Sequence, residues 1–335
     1  LYNGNKRLKT IQQEKLNNQV AELDVATSEN NIQESIAQVY IQILYAAESV
    51  KVNESTLQVS IAQRDRGQEL LNAGSIAKSD FAQLEAQVST DRYQLVTAQA
   101  TLEDYKLQLK QLLELDGENE MNIYLPALSD ENVLAPLPTK KDVYIRALSL
   151  RPEIEASKLN VEASELGIGI AKSSYLPTIS LSAGIGTNHT SGSDFTFGEQ
   201  VKNGWNNSIG LSVSVPIFNN RQTKSAVQKA KLQYETSMLS LLDEQKTLYK
   251  TIEGLWLDAN SAQQRYAAAN EKLKSTQISY ELISEQFNLG MKNTIELLTE
   301  KNNLLQAQQE QLQAKYMAIL NMQLLKFYQG DQLAI

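Results

Sequence analysis

The sequence predicts a mainly α protein: two long antiparallel coiled-coil helical hairpins, one unit written twice at an offset of 216 residues (Leu1 onto Ile217), plus one β-hairpin. Three observations carry this. The second half of the chain overlays the first without gaps at that single offset. Apolar residues recur at alternating steps of three and four through much of each copy, which is the mark of a coiled-coil seam. One stretch between the copies switches to strict alternation, which is the mark of strands.

Composition agrees with long solvated helices. Only 6 prolines and 15 glycines punctuate 335 residues. Gln, Leu, Ala, Asn, Glu and Lys dominate, residues that mostly give up little side-chain freedom in a helix. The formal net charge of −8 disfavours nucleic acid and anionic membrane surfaces as partners. The chain has no cysteine, so disulfides and thiolate metal sites are excluded while the compartment stays open. No apolar run reaches the roughly 18 residues of a membrane-spanning helix, a test that says nothing of short alternating barrel strands. The chain opens at Leu1 without a methionine or a signal peptide, and a processed or cut start is expected.

The duplication is legible in its register. Leu1-Tyr2-Asn3-Gly4 falls on Ile217-Phe218-Asn219-Asn220, Lys15-Leu16 on Lys231-Leu232, Leu57 on Leu273, and Leu109-Lys110 on Leu325-Lys326. Residues 1–113 form the first hairpin. Its first helix is expected over about 8–72, with the seam Ile36, Val39, Ile43, Ala46, Val50 and Leu57. At about 1.5 Å per residue such a helix is on the order of 100 Å long. Asn72-x-Gly74 closes it, glycine supplying the left-handed residue that ends a helix. The returning helix repeats every seven residues at Phe81, Val88, Leu95, Leu102 and Leu109.

Residues 114–152 read as a connector with Pro126, Pro136 and Pro138, a short strand at Ile123-Tyr124-Leu125, and a helix from Lys141 interrupted at Arg151-Pro152. Residues 153–216 hold a helix to about Ser174 and then two strands, 178–186 and 208–217. In them Ile179, Leu181, Ile209, Leu211, Val213 and Val215 alternate with small and polar residues over a length that crosses a bilayer when tilted. A half-buried hairpin of a soluble sheet gives the same alternation, so both readings stand at this point. Residues 217–335 form the second hairpin and C-terminal segment. Its first helix, about 222–288, carries Ile252, Leu255, Ala259, Ala262, Tyr266, Ala269, Leu273, Tyr280, Ile283 and Phe287. Asn288-x-Gly290 closes it, and Leu298, Leu305, Leu312 and Ile319 mark the return.

No catalytic constellation is visible and no cofactor is expected. His189 sits in a polar Thr/Ser/Gly loop and reads as an exposed loop residue. Gly184-x-Gly186 lacks the following helix that would hold a phosphate. Five scattered methionines form no soft-metal ladder, and no metal site is expected. Asp80 and Glu296 stand at equivalent positions just past the two turns.

Arg151-Pro152-Glu153-Ile154 with Ala171 to Pro177, Val215 to Arg221, Gly74 to Phe81 and Phe287 to Leu297 are four passages on a duplicated chain that together resemble the TolC-like outer-membrane efflux channels, and the likeness covers essentially all 335 residues. Arg151-Pro152-Glu153-Ile154 with Ala171-Lys172-Ser173-Ser174-Tyr175-Leu176-Pro177 is similar to the family's lead-in to a barrel strand. Val215-Pro216-Ile217-Phe218-Asn219-Asn220-Arg221 is similar to the strand exit into a long helix. Gly74-Ser75 through Ser79-Asp80-Phe81, and Phe287-Asn288-Leu289-Gly290 through Thr294-Ile295-Glu296-Leu297, resemble the two hairpin turns.

The resemblance implies a passive conduit in the bacterial outer membrane with a periplasmic helical tunnel, serving an efflux or type I export system and opened by iris-like movement of the coiled coils. It implies a homotrimer in contact with outer-membrane lipid, a periplasmic adaptor (membrane fusion protein) and an inner-membrane pump. It implies that the turns dock the adaptor through Asn72, Gly74, Ser75, Asn288, Gly290 and Thr294. Asp80 and Glu296 would then ring the tunnel mouth, although an acidic residue in a first helical turn needs no such role. A second acid three residues on is common in the family; Thr299 stands there instead, with Glu300 one step around the helix. The chain begins where the family's first strand hairpin has already ended, so a truncated member is expected. The rival readings are a soluble coiled-coil scaffold, the periplasmic adaptor itself and a helical pore-forming toxin; an enzyme is the least supported.

Overall fold

The computed structural model describes residues 1–115, 123, 124, 126 and 133–333. Among them, in chain order, are β1 (Tyr2–Asn3), α1 (Lys6–Asn72), α2 (Lys78–Leu112), α3 (Lys140–Leu150), α4 (Pro152–Ser173), β2 (Thr178–Gly186), α5 (Phe197–Asn203), β3 (Asn206–Ser214), α6 (Gln222–Asn288) and α7 (Thr294–Tyr328). The duplication is exact in length: α1 and α6 have 67 residues each, and α2 and α7 have 35 each. It holds in the backbone too. Left-handed residues Gly4 and Asn5 in the first copy correspond to Asn220 and Arg221 in the second, and Gly74 corresponds to Gly290. The strand suggested at 123–125 is not found at Ile123 and Tyr124, and Leu125 lies outside the described residues.

The chain divides into two compact units, residues 1–27 with 151–246, and residues 28–150 with 247–335. In the first, the beginning of α1 lies along α4: Gln13 Nε2 donates to Ala163 O at 2.8 Å and Lys9 Nζ to Gly169 O at 3.4 Å. Pro152 opens α4 at a position whose N–H has no helical acceptor, so its missing donor costs nothing there. The sheet has order β1-β2-β3, all antiparallel, so the strand pair foreseen between the copies gains a short third strand through Tyr2 opposite Ile179. Gly4 must remain a glycine: its φ is +65°, and a Cβ would fall 2.8 Å from Ser173 O.

In the second unit the seams close on one another. Ile252, Ala259, Ala262, Tyr266 and Phe287 of α6 are buried, as are Leu57 of α1 and Val88 and Leu109 of α2. The main core gathers Ile41 and Leu44 of α1, Ala262 and Tyr266 of α6, Ile319 and Leu324 of α7, and Val133 of the connector. Pro136 and Pro138 keep residues 133–139 irregular, and α6 side chains satisfy carbonyls there instead. Gln263 Nε2 donates to Val133 O (2.9 Å) and Ala135 O (2.8 Å), and Trp256 Nε1 to Pro138 O (2.9 Å). Lys140 lies 4.7 Å from the centre of the Trp256 ring and pairs with Glu253 at 3.1 Å.

Near the first turn, Gly67 brings α1 close to α2. A Cβ there would stand 2.3 Å from Leu84 Cδ1, and Leu84 is 1% exposed. Gly67→Leu is expected to lower stability by about 1–3 kcal/mol through overpacking, read as an earlier urea midpoint with an unchanged slope.

Candidate functional site

Among the described residues, the strand pair and the two hairpin turns could act on something outside the chain, and a buried polar cluster lies inside it. The strands come first. Ile179 lies opposite Val213, Leu181 opposite Leu211 and Ala183 opposite Ile209, so the predicted apolar residues share one face. Ser180 lies opposite Ser212, and Ser182 opposite Gly210, on the other. Among the described residues this face is largely uncovered: Ile209 is 83% exposed, Leu211 67% and Val213 59%. Val215, expected as a strand residue, falls beyond β3. The strand ends at Ser214 because Pro216 has no N–H to donate and constrains the residue before it. At the other end β3 starts earlier than expected, because Asn206 and Asn207 extend the ladder to Gly186 and Ile185.

Each turn is built within its own hairpin, and the two share one design. Ser75 N–H donates to Leu70 O (2.8 Å) and Gly74 N–H to Leu71 O (3.0 Å); Met291 N–H donates to Gln286 O (2.8 Å) and Gly290 N–H to Phe287 O (2.9 Å). This is the Schellman closure of a helix, which needs its left-handed residue at Gly74 (φ +70°) and Gly290 (φ +74°). Asn72, Ser75 and Asn288 are exposed. Thr294, expected on the docking surface, is instead 2% exposed: it is the first helical residue of α7 and falls in the seam phase that continues at Leu297.

Asp80 and Glu296 cap the helices that follow. The Ala77 N–H donates to Asp80 Oδ2 at 3.3 Å. At the second turn the cap is reciprocal: Asn293 N–H donates to Glu296 Oε2 (3.2 Å) and Glu296 N–H to Asn293 Oδ1 (2.9 Å), while Lys292 Nζ reaches Glu296 Oε1 at 2.6 Å. The turns differ in surface. The second exposes Leu289, Met291 and Ile295, whereas the first exposes Ala73, Ser75 and Ala77.

The cluster was not foreseen. Ser60 of α1, Asp91 of α2 and Lys301 of α7 are buried together, Asp91 at 1% exposure and Lys301 at 3%. Lys301 Nζ donates to Asp91 Oδ2 and to Ser60 Oγ, Ser60 Oγ donates to Asp91 Oδ2, and Gln87 Nε2 donates to Asp91 Oδ1 at 2.9 Å. Burial pushes the Lys301 ammonium down from its usual range, and the Asp91 carboxylate acts in the opposite direction. The sequence signal was present: Lys301 follows Leu297 by four and precedes Leu304 by three, a coiled-coil core position, but a seam read only for apolar residues passes over it.

Among the described residues no three His, Asp or Glu side chains are grouped to hold a metal ion, and no helix is long and apolar enough to cross a membrane. His189 sits in the exposed β2–β3 loop, with Nδ1 3.1 Å from Gln200 Oε1 and its ring edge-on to Phe197.

The Glu296 cap has a pH signature. Its bonds with Lys292 and with the Asn293 N–H hold its carboxyl below the usual carboxylate range. The folded-state pKa is thus below the unfolded one, so the stabilisation is complete above the unfolded value and is lost as pH falls through the folded value. Amide exchange at the second turn, corrected for intrinsic rates, is expected to stay protected above the ordinary carboxylate range, to accelerate progressively as pH falls through it, and to level off only below the lowered folded-state value. Glu296→Gln should abolish that acid-dependent change, and exchange in the parent that does not vary with pH across the acid range would contradict the assignment.

Comparison with known proteins places this architecture. Residues 143–330 match the family model described as outer membrane efflux protein. The outer membrane efflux protein BepC of Brucella suis is 24% identical over 86% of this chain and 60% of its own length. The outer membrane protein TolC of Escherichia coli is 23% identical over 90% of this chain and 62% of its own. The chain therefore spans about three-fifths of the length of these two relatives. Among solved structures, CusC matches with a TM-score of 0.84 at 18% identity, covering 98% of this chain and 75% of that one. The CmeC outer membrane channel of Campylobacter jejuni matches with a TM-score of 0.80 at 19% identity, covering 99% and 69%.

Proposed function

The chain belongs to the outer membrane efflux protein family, and we propose that it supplies the helical tunnel wall and part of the barrel of a passive conduit across the outer membrane, working in an efflux or type I export system. The β2–β3 pair carries this reading. A soluble hairpin would bury its apolar face, but Ile209, Leu211 and Val213 are bare within the chain while the opposite face is serine and glycine. Lipid on one side and a water-filled lumen on the other satisfy both faces. A coiled-coil scaffold has no use for such a strand pair, and an adaptor has one hairpin where this chain has two.

The conduit is a homotrimer whose strands join to close the barrel, since open sheet edges are not tolerated in lipid. On α6, Leu232, Leu239 and Leu242 are exposed within one chain and give a neighbouring copy an apolar face. The turns at Asn72–Ser75 and Asn288–Gly290 receive a periplasmic adaptor that links the conduit to an inner-membrane pump. The bare Leu289, Met291 and Ile295 make the second turn the apolar seat. In a threefold assembly, three copies of Glu296, and likewise of Asp80, form carboxylate rings that favour cations at the mouth.

Two experiments on the full-length protein test this. Spin labels at Ile209, Leu211 and Val213 should meet lipid-dissolved oxygen, and labels at Ser208 and Ser212 a water-soluble relaxant; the reverse pattern refutes the barrel assignment. Gly74→Trp combined with Gly290→Trp should abolish export with membrane insertion intact. Gly74→Asn with Gly290→Asn, which tolerate the left-handed backbone, should retain it. Normal export by the tryptophan pair would remove the docking role.

A further inference from the structure

Beside the seam of α6 and α7 lies a cleft of about 540 Å³, within the size range of small-molecule sites. Its floor is Ala262, Ala269 and Ala314, all buried. Methyl groups on both helices leave a space that longer side chains would fill. Asn321 lines the cleft and is only 6% exposed. Its side-chain amide has no hydrogen-bond partner among the described residues. Such a group is costly to bury unless something bonds it. An asparagine kept for coiled-coil register bonds to a partner across the seam, and Asn321 has none. Copy one lacks this chemistry. At the repeat offset Asn321 corresponds to Tyr105, Asp258 to Gln42 and Arg265 to Ser49. The α1–α2 hairpin has helices of the same lengths without these groups, so the fold of a hairpin does not require them.

The charges left over define what fits the cleft. Lys272 and Glu310 line it and neutralise one another at 2.7 Å. Asp258 and Arg265 line it too, and neither has an ion pair among the described residues. They are seven residues apart on α6, so they stand on nearly the same face about 10 Å apart along the axis. The two helices run antiparallel, which puts Asp258 toward the Asn321 end and Lys272 at the Glu310 end. Between Asp258 and Arg265 the wall is apolar, with Ala262 on α6 and the half-exposed Met317 on α7. A molecule that answers all of this has an apolar body, an ammonium at one end for Asp258 and a carboxylate about 10 Å away for Arg265, a strong and directional pairing. Its polar edge satisfies the Asn321 amide. A simple anion leaves Asp258 uncompensated, and a simple cation leaves Arg265 so.

We propose that the α6–α7 cleft is a binding site for amphipathic zwitterionic organic solutes, held by Asp258, Arg265 and the buried amide of Asn321. The site goes beyond the conduit reading and does not depend on it, because binding is read on the protein itself. The full-length protein in lipid nanodiscs is titrated at neutral pH into ciprofloxacin, a fluorescent zwitterion whose flat body separates an ammonium from a carboxylate, and anisotropy is followed. Saturable binding of one molecule per chain is expected. Arg265→Gln should weaken it by about tenfold, while the decarboxylated probe should bind parent and Arg265→Gln alike. Asp258→Asn should weaken it by a similar factor, while the N-acetylated probe, which has lost its ammonium, should bind parent and Asp258→Asn alike. Asn321→Tyr, which takes the residue of copy one, and Ala268→Leu, which fills the cleft from an exposed position, should abolish binding. Should Asn321→Tyr fail to fold, Ala268→Leu and the two charge variants carry the test. No saturable binding by the parent, or parental affinity in both charge variants, overturns the site. Loss of the oligomer in Ala268→Leu, with no probe bound by the parent, assigns the cleft to a second copy of the chain and overturns it equally. Either failure leaves the conduit reading to the strand labels, which report on it separately.

Discussion

Everything in this chain follows from the need to cover an apolar seam along helices of 67 residues. A coiled-coil stripe cannot be buried by the helix that carries it. The returning helices are only 35 residues long, so each covers about half of the helix it follows. For the rest, α1 turns to another partner: its first turns lie along α4, held by Gln13 and Lys9. That is why α4 exists between the copies, and why a proline at residue 152 starts it where the chain must change course. The connector is a second consequence. Residues 133–139 run as irregular chain, and the carbonyls of Val133, Ala135 and Pro138 are satisfied by Gln263 and Trp256 reaching outward from α6.

Long helices also need corners that do not drift. The two copies place left-handed residues at the same points, Gly4-Asn5 and Asn220-Arg221 where strand becomes helix, Gly74 and Gly290 where helix turns back. A left-handed residue reverses the chain within one or two positions and leaves no slack for the seam to slip. At the first corner the first copy has glycine because Ser173 O stands where a Cβ would be. The second copy uses asparagine and arginine, which adopt this conformation at some cost.

Most of this was legible in the residues. Helix ends at 72 and 288 followed from the glycine two residues on, and the strand pair followed from its alternation. The ends of β3 were misjudged for two physical reasons. Asparagine at 206 and 207 carries no apolar signal yet pairs through its backbone, and Pro216 interrupts the ladder although Val215 and Ile217 continue the alternation. The short strand β1 escaped because two residues carry no period at all. At the turns, Gly74, Gly290 and the two acids were found, but burial of Thr294 depends on seam phase near a helix start, which a stripe read from Leu298 places one residue late. Lys301 and Asp91 escaped because hydrophobic periodicity treats a charge as a gap, whereas the folded chain fills that gap with a bonded pair.

Two identical hairpins could associate like with like or like with unlike, and nothing in their surfaces would choose between these. The first copy has placed a carboxylate where the second has Ala307, and the second has placed an ammonium where the first has Glu85. Like pairs are thereby penalised, two acids facing each other in one case and a lone charge against alanine in another. The duplicated unit has become a left and a right half, each with a single admissible partner. A chain made by copying thereby fixes which face of one half meets which face of the other, because the mismatch itself disfavours the other arrangement.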